Sequence, residues 1–261
     1  MRAWENFRYR ATFYHLLVSL AIAACTAWLV FQLWYPLPYR HLTAGTTLFL
    51  TIVFVDLVCG PIFTLILANP KKSKRELLLD LSLVIIIQLA ALGYGLYSVK
   101  LARPAVASFE RDRIAIITET EIDRGDLPNA PEGLQKLPLN NILKVGIRRA
   151  QNEKEFFESI NLSFDGIEPS LRPSWWLRYE DVLPEIKEKM MPVSQIDMTQ
   201  LSEARSKILN QAIIKTGLPA EELFYLPLVS KYTQEWTILL NREADFIGYA
   251  NLNGFEIKRL E

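Results

Sequence analysis

HLTAGTTLFLTIVFVDLVCGPIFTLILANP, residues 41–70, contains a single Asp, Glu, Lys or Arg, which is Asp56. A helix needs about 20 apolar residues to cross about 30 Å of hydrocarbon, so this run spans a bilayer with residues to spare. It has an apolar neighbour on each side. Ala11–Tyr39 carries no ionised side chain, and neither does Leu81–Val99, with Asp80 at its mouth. In lipid, such segments satisfy their backbone polar groups as helices. The expected architecture is three transmembrane helices, at about 12–35, 42–69 and 77–99, forming a membrane domain over 1–103. A soluble α+β domain follows over 104–261.

Charge divides the chain at the same point. Met1–Arg103 has 10 Lys/Arg and 4 Asp/Glu, whereas Pro104–Glu261 has 19 and 25, so the overall zero is the sum of +6 and −6. An acidic soluble portion argues against a nucleic-acid partner, which calls for a basic surface. Arg2, Arg8 and Arg10 precede the first span, and Lys71, Lys72, Lys74 and Arg75 lie between the second and third. Arg40, Lys100 and Arg103 flank the other ends. The positive-inside bias puts the N-terminus and the second loop in the cytoplasm and the C-terminal domain outside, periplasmic in a Gram-negative cell. The first apolar run is too long for a cleaved signal peptide. Cys25 and Cys59 both fall within spans, so no disulfide framework is expected in the soluble part.

The spans have readable ends. Trp28, Trp34 and Tyr35 suit the outer interface of the first, and Tyr94 and Tyr97 that of the third. Pro36 and Pro38 impose a short extended turn. Gly60-Pro61 marks a tilt or kink in the second span, and Asn69-Pro70 its end. Arg103-Pro104 is the hinge to the soluble part. There, Ala105–Phe109, Arg113–Thr118 and Ile142–Arg148 read as strands. Glu153–Asn161 reads as a short helix with Phe156, Phe157 and Ile160 on one face. Tyr179–Met191 and Met198–Thr216 read as longer helices, the latter capped by Asp197 or Thr199 and ended by Gly217. Leu226–Val229, Trp236–Leu240, Phe246–Ala250 and Phe255–Leu260 read as a four-stranded meander.

The soluble part has no His and no Cys, which excludes Ser-His-Asp and Cys-His catalysis and His- or Cys-ligated zinc there. The only histidines, His15 and His41, suit interfacial packing better than a metal site. No nucleotide loop or nucleophile elbow appears, so no catalytic, cofactor or metal residues are assigned and no cofactor is expected. Carboxylate pairs such as Glu180-Asp181 and Glu221-Glu222 read as solvated helix starts. Trp175, Trp176 and Tyr179 read as core first and as an exposed recognition patch second. Asp56 is the sharpest candidate, because an acid mid-span costs about 2.5–3.5 kcal/mol and must face protein or a polar cavity. Two roles fit it: a polar contact to a partner's transmembrane helix beside the small residue Gly60, or a protonated carboxyl group hydrogen-bonded within its own bundle, for example to Gln88 of the third span.

Several motifs carry a resemblance. Phe31–Pro38 (FQLWYPLP) closes the first span. Val55–Leu67 (VDLVCGPIFTLIL) leads to Asn69–Lys72 (NPKK). Gln88–Tyr97 (QLAALGYGLY) precedes Ala102-Arg103-Pro104 and Phe109–Arg113 (FERDR), and Tyr225–Leu228 (YLPL) stands near the end. In order and spacing these resemble the TfpX/TfpZ family of type IV pilin accessory proteins, most strongly over residues 10–115. The resemblance implies a protein of the bacterial inner membrane that assists or modulates pilin stability and pilus assembly. Its implied partners are type IV pilin or the assembly machinery, and it implies no catalytic residue. The family's motif positions map onto Asp56, Gly60, Pro61, Asn69, Pro70, Lys71, Lys72, Arg103 and Pro104. Asp56, Gly60 and Pro61 are the partner-contact candidates; the others concern topology. A membrane enzyme acting on pilin or envelope glycans is the competing expectation, and a sensory module the third.

Overall fold

The computed structural model describes residues 2–69 and 72–260, with side chains from Phe7 onward. Two compact units divide at Arg103/Pro104, with the short segment His41–Thr43 grouping with the second.

The first unit holds three long helices. α1 runs Arg2–Leu29 and continues through a wider π turn, Val30–Trp34. α2 is Gly45–Leu67 and α3 is Lys74–Leu101. Each is long and apolar enough to cross a membrane. Only 6 %, 17 % and 6 % of their most apolar windows are buried against protein. Side chains such as Phe54, Ile66, Leu78 and Ile86 point outward, a surface that water does not tolerate and lipid does. The helix ends fall within a few residues of the expected ones except at the start of α1, which begins at Arg2 rather than near residue 12. Pro61 lies inside α2 without ending it. Ser73 starts α3 as the N-cap of a reciprocal capping box: its hydroxyl accepts from Glu76 N–H (3.2 Å), and the Glu76 carboxylate accepts from Ser73 N–H (2.8 Å).

Tyr35 departs from expectation. It is fully buried rather than interfacial, and its hydroxyl donates to the Val99 carbonyl (2.6 Å). Its ring lies over Gly45, where any Cβ would overlap it. Val30, Phe49 and Val99 complete this cluster. Trp28, Tyr94 and Tyr97 are exposed, as interfacial rings would be.

The second unit is built on one eight-stranded sheet. β1 (Pro104–Glu110) and β2 (Arg113–Thr118) form an antiparallel pair about the turn at Arg111, whose φ is +58°. β3 (Leu143–Ile147) runs parallel to β1. α4 (Glu153–Phe164) follows, then the short β4 (Trp176–Arg178) beside β3, α5 (Leu183–Lys189) and β5 (Met191–Pro192). α6 (Glu203–Thr216) leads into β6 (Phe224–Ser230), β7 (Trp236–Leu240) and β8 (Phe246–Ala250). The strand order is β4-β3-β1-β2-β6-β7-β8, with β5 pairing β6. β6 lies parallel to β2, so the C-terminal meander extends the N-terminal hairpin.

The core lies on this sheet in two clusters. Trp176, Val106, Ile117 and Val145 anchor one. Leu209 and Ala212 of α6 pack on Tyr225, Leu239 and Ala250 in the other. Trp175, Trp176 and Tyr179 are all buried, the core reading. The meander has three strands, not four. At Phe255–Leu260 the chain turns instead, because the Asn253 side chain accepts from Phe255 N–H (3.0 Å) and only Arg259 bridges to Ile196. The expected helix over 179–191 is a 3₁₀ turn at Tyr179–Val182 followed by α5, since Pro184 fits only a first helical turn. α6 starts at Ser202, which accepts from Arg205 N–H, while Asp197 caps a separate 3₁₀ turn over Met198–Gln200. Gly217 ends α6 at φ +74°.

Candidate functional site

In the membrane unit α2 packs on both α1 and α3, while α1 and α3 scarcely touch. A cavity of about 330 Å³ lies between them, with α2 as its floor. Most of its lining is apolar: Val18, Ile22, Val53, Ile85, Leu89 and Leu92. The lining residues with polar side-chain groups are Tyr14, His15 and Ser19 of α1, Asp56 and Thr64 of α2, and Gln88 of α3. His15 and Ser19 stand four residues apart, on one helix face.

Three of these side chains, His15, Thr64 and Gln88, make bonds between helices. His15 Nδ1 and Thr64 Oγ1 lie 2.5 Å apart, tying α1 to α2. The Gln88 amide donates to the main-chain carbonyl of Asp56 (3.4 Å), tying α3 to α2. Among the described residues no side chain or backbone group bonds the Asp56 carboxylate, so Gln88 takes the Asp56 main chain rather than the carboxyl group expected of it. Gly60 and Pro61 are buried beneath the cavity. A Cβ on Gly60 would meet the Gln88 amide and the His15 imidazole. The missing side chain thus closes the bundle on itself, and Asp56 is the partner-contact candidate that lines the open space.

The remaining motif positions lie at helix ends. Both Arg8 Nε and Nη2 donate to the Leu65 carbonyl (3.0 and 2.6 Å), placing a cation on the last turn of α2. Asn69 follows that turn, with its carbonyl accepting from Lys72 N–H (3.1 Å). Lys72 pairs with Asp80. Pro70 and Lys71 lie outside the described residues. Arg103 is buried, and Pro104 opens β1 opposite Thr118.

A relative from Dichelobacter nodosus, the fimbrial assembly protein of serogroup I, is 34% identical over 243 residues, which is 93% of this chain and 94% of the relative. The serogroup E1 protein matches to the same extent. The chain belongs to the fimbrial assembly protein family. Residues 3–44 match the family described as fimbrial assembly protein FimB. The fimbrial assembly protein of serogroups C1 and C2 is 45% identical over 116 residues, 44% of this chain and 88% of that relative. No solved structure matches.

This fimbrial assembly family member carries a second polar cluster, in its C-terminal unit. The Trp175 ring lies 4.3 Å from the guanidinium carbons of both Arg148 and Arg172. Arg148 donates twice to the Glu155 carboxylate (3.0 and 2.5 Å), and Arg172 donates to Ser159 Oγ (2.6 Å). The bonds from Arg148, then the Gln151 N–H, hold the Glu155 carboxyl down to about 2. Burial pushes the Arg172 pKa down, with the like charge of Arg148 adding to it. On the other side, Lys144 lies 4.0 Å from the Phe246 ring centroid, and burial lowers its pKa. Among the described residues no three His, Cys, Asp or Glu side chains group as a metal site.

Sequence reading missed His15, Ser19 and Thr64 as cavity-lining groups. The four-residue spacing of His15 and Ser19 was the available signal; their meeting with Thr64 depends on how α1 crosses α2.

Proposed function

We propose that this protein is a non-catalytic accessory factor of the bacterial inner membrane, of the TfpX/TfpZ kind, that assists or modulates assembly of type IV pili. In this reading the N-terminus is cytoplasmic, the C-terminal unit is periplasmic, and the cleft between α1 and α3 receives the transmembrane helix of pilin. The observation that carries it is the Asp56 carboxylate, which lines the cleft with no bonding partner among the described residues. An unsatisfied acid at this depth costs about 2.5–3.5 kcal/mol, and a donor on an incoming helix offsets that cost. The names of the 34%-identical relatives support the assembly role. The basic residues Arg8, Arg10, Lys72, Lys74 and Arg75 support the orientation.

A pilin held by one membrane helix with its head outside meets this factor at two levels. Two weak contacts on membrane-bound partners reinforce each other through effective concentration. The experiment is deletion of the gene in a piliated strain, with surface pili counted and the cellular pilin pool weighed. A change in either, restored by the wild-type gene but not by Asp56→Leu, is expected. Normal pili and a normal pool would overturn the proposal.

A further inference from the structure

α4 is amphipathic, yet it faces the wrong way for a core helix. Its one buried residue is Ser159. Glu155 and Ser159, four residues apart, point into the domain, where Arg148 and Arg172 hold them. On the face turned away from the domain, Phe156, Phe157, Ile160 and Phe164 form a stripe at helical spacing, and Phe164 is 86% exposed. Phe156 and Phe157 stack edge to face, with centroids 5.7 Å apart. The helix ends in a Schellman motif at Gly166 (φ +79°) that brings in the exposed Ile167: its N–H bonds Leu162 O (2.8 Å), and Gly166 N–H bonds Ser163 O (3.0 Å). N-capping by Asn152 fixes the other end (2.9 Å). A well-capped helix clamped by its polar side is thus built to present phenyl rings to something.

The charges around the rings select the occupant. Within the segment 153–168 the exposed charges besides the clamped Glu155 are Glu153, Glu158, Asp165 and Glu168 against one base, Lys154, itself 3.8 Å from Glu158. A helix that lies on anionic lipid carries Lys and Arg beside its apolar face; this one carries carboxylates. The same acidic border on a second copy would repel it. Clustered aromatics are the usual energetic centre of protein interfaces. We infer that the outward face of α4 docks a protein surface with an apolar centre and a basic margin, on the soluble head of pilin.

This inference rests on the proposed role in pilus assembly, so its test separates the two. A photo-crosslinking amino acid replaces Phe157 or Phe164 in the full chain, in piliated cells, with Ser19 in the membrane cleft and exposed Lys207 of α6 as parallel positions. Pilin adducts, identified by antibody, are expected from Phe157, Phe164 and Ser19 and not from Lys207. Phe157→Ser with Phe164→Ser, both at exposed positions, should lower the Ser19 adduct several-fold at unchanged protein level. Charge reversal by Glu153→Lys with Glu158→Lys should do the same. Pilin adducts from Ser19 alone would overturn the α4 inference and leave the assembly role standing. Adducts from none of these positions would overturn both. Adducts from Phe157 or Phe164 to a second copy of this chain, or to lipid alone, would overturn the pilin-head assignment.

Discussion

Gln88 on α3 reaches across to the main-chain carbonyl of Asp56 on α2, not to its carboxylate (3.4 Å). One intramembrane polar side chain is thereby spent on joining helices, and the other is left lining the cleft. Asp56→Leu should therefore leave the bundle intact while removing an acceptor from an incoming helix. Interhelical hydrogen bonds in membranes are worth about 0.6–2 kcal/mol. Pilin co-purifying in mild detergent should fall by about 3- to 30-fold. Asp56→Asn, which keeps an acceptor oxygen, should fall less. Equal loss in both variants would point to charge rather than hydrogen bonding.

The two buried glycines of α2 should respond differently to Ala. At Gly60 the obstructing atoms include the far end of the flexible Gln88, which can swing away at the cost of its bond to Asp56. About 1 kcal/mol is expected. At Gly45 the obstruction is the ring of Tyr35, packed and tied to Val99. Overpacking there should cost about 1–3 kcal/mol in addition to that bond. Thermal unfolding in detergent should rank Gly45→Ala below Gly60→Ala, and Gln88→Ala should relieve part of the Gly60→Ala effect.

Acid should loosen α4. The folded pKa of Glu155 is about 2 against an ordinary 4.5, so its stabilising effect is complete above pH 4.5 and disappears as pH falls toward 2. Unfolding midpoints of the wild type and Glu155→Gln, compared from pH 6 to pH 2, should differ most at the top of that range and converge at the bottom. A constant difference would mean that Glu155 is not held as its bonds to Arg148 indicate.

At the start of α6, Ser202→Ala should cost about 1 kcal/mol, because it removes the hydroxyl that caps the helix. Asp197→Ala should cost less, since it touches only a 3₁₀ turn. Chemical denaturation of both variants in detergent checks the order.

The three spans were legible because length and lack of charge suffice to define them. Their fine structure was not. The burial of Tyr35 depends on a carbonyl 64 residues away, and aromatic composition alone reads it as interfacial. Asp197 precedes an apolar stripe as a cap should, yet Leu201-Ser202 lies nearer the first turn that α6 can keep. The phenyl rings of α4 were legible as one face of a helix. Which way that face points is decided by Arg148, just after β3, and Arg172, in the loop before β4, whose meeting at Trp175 no local pattern encodes. At Asp56 the sequence identified the residue and left two roles open. The structure places Gln88 on the Asp56 main-chain carbonyl, and the carboxylate lines the cavity.

The cleft itself is tested most directly by association in a bilayer. The full-length protein in lipid nanodiscs, labelled near the cleft, is titrated with a labelled peptide containing only the membrane helix of pilin, and energy transfer is followed. Saturable transfer, weakened by Asp56→Leu and by filling the cleft through Ser19→Phe, is the expected result. Absence of transfer above that of a scrambled apolar helix, or transfer indifferent to both substitutions, would contradict a helix-receiving cleft at Asp56.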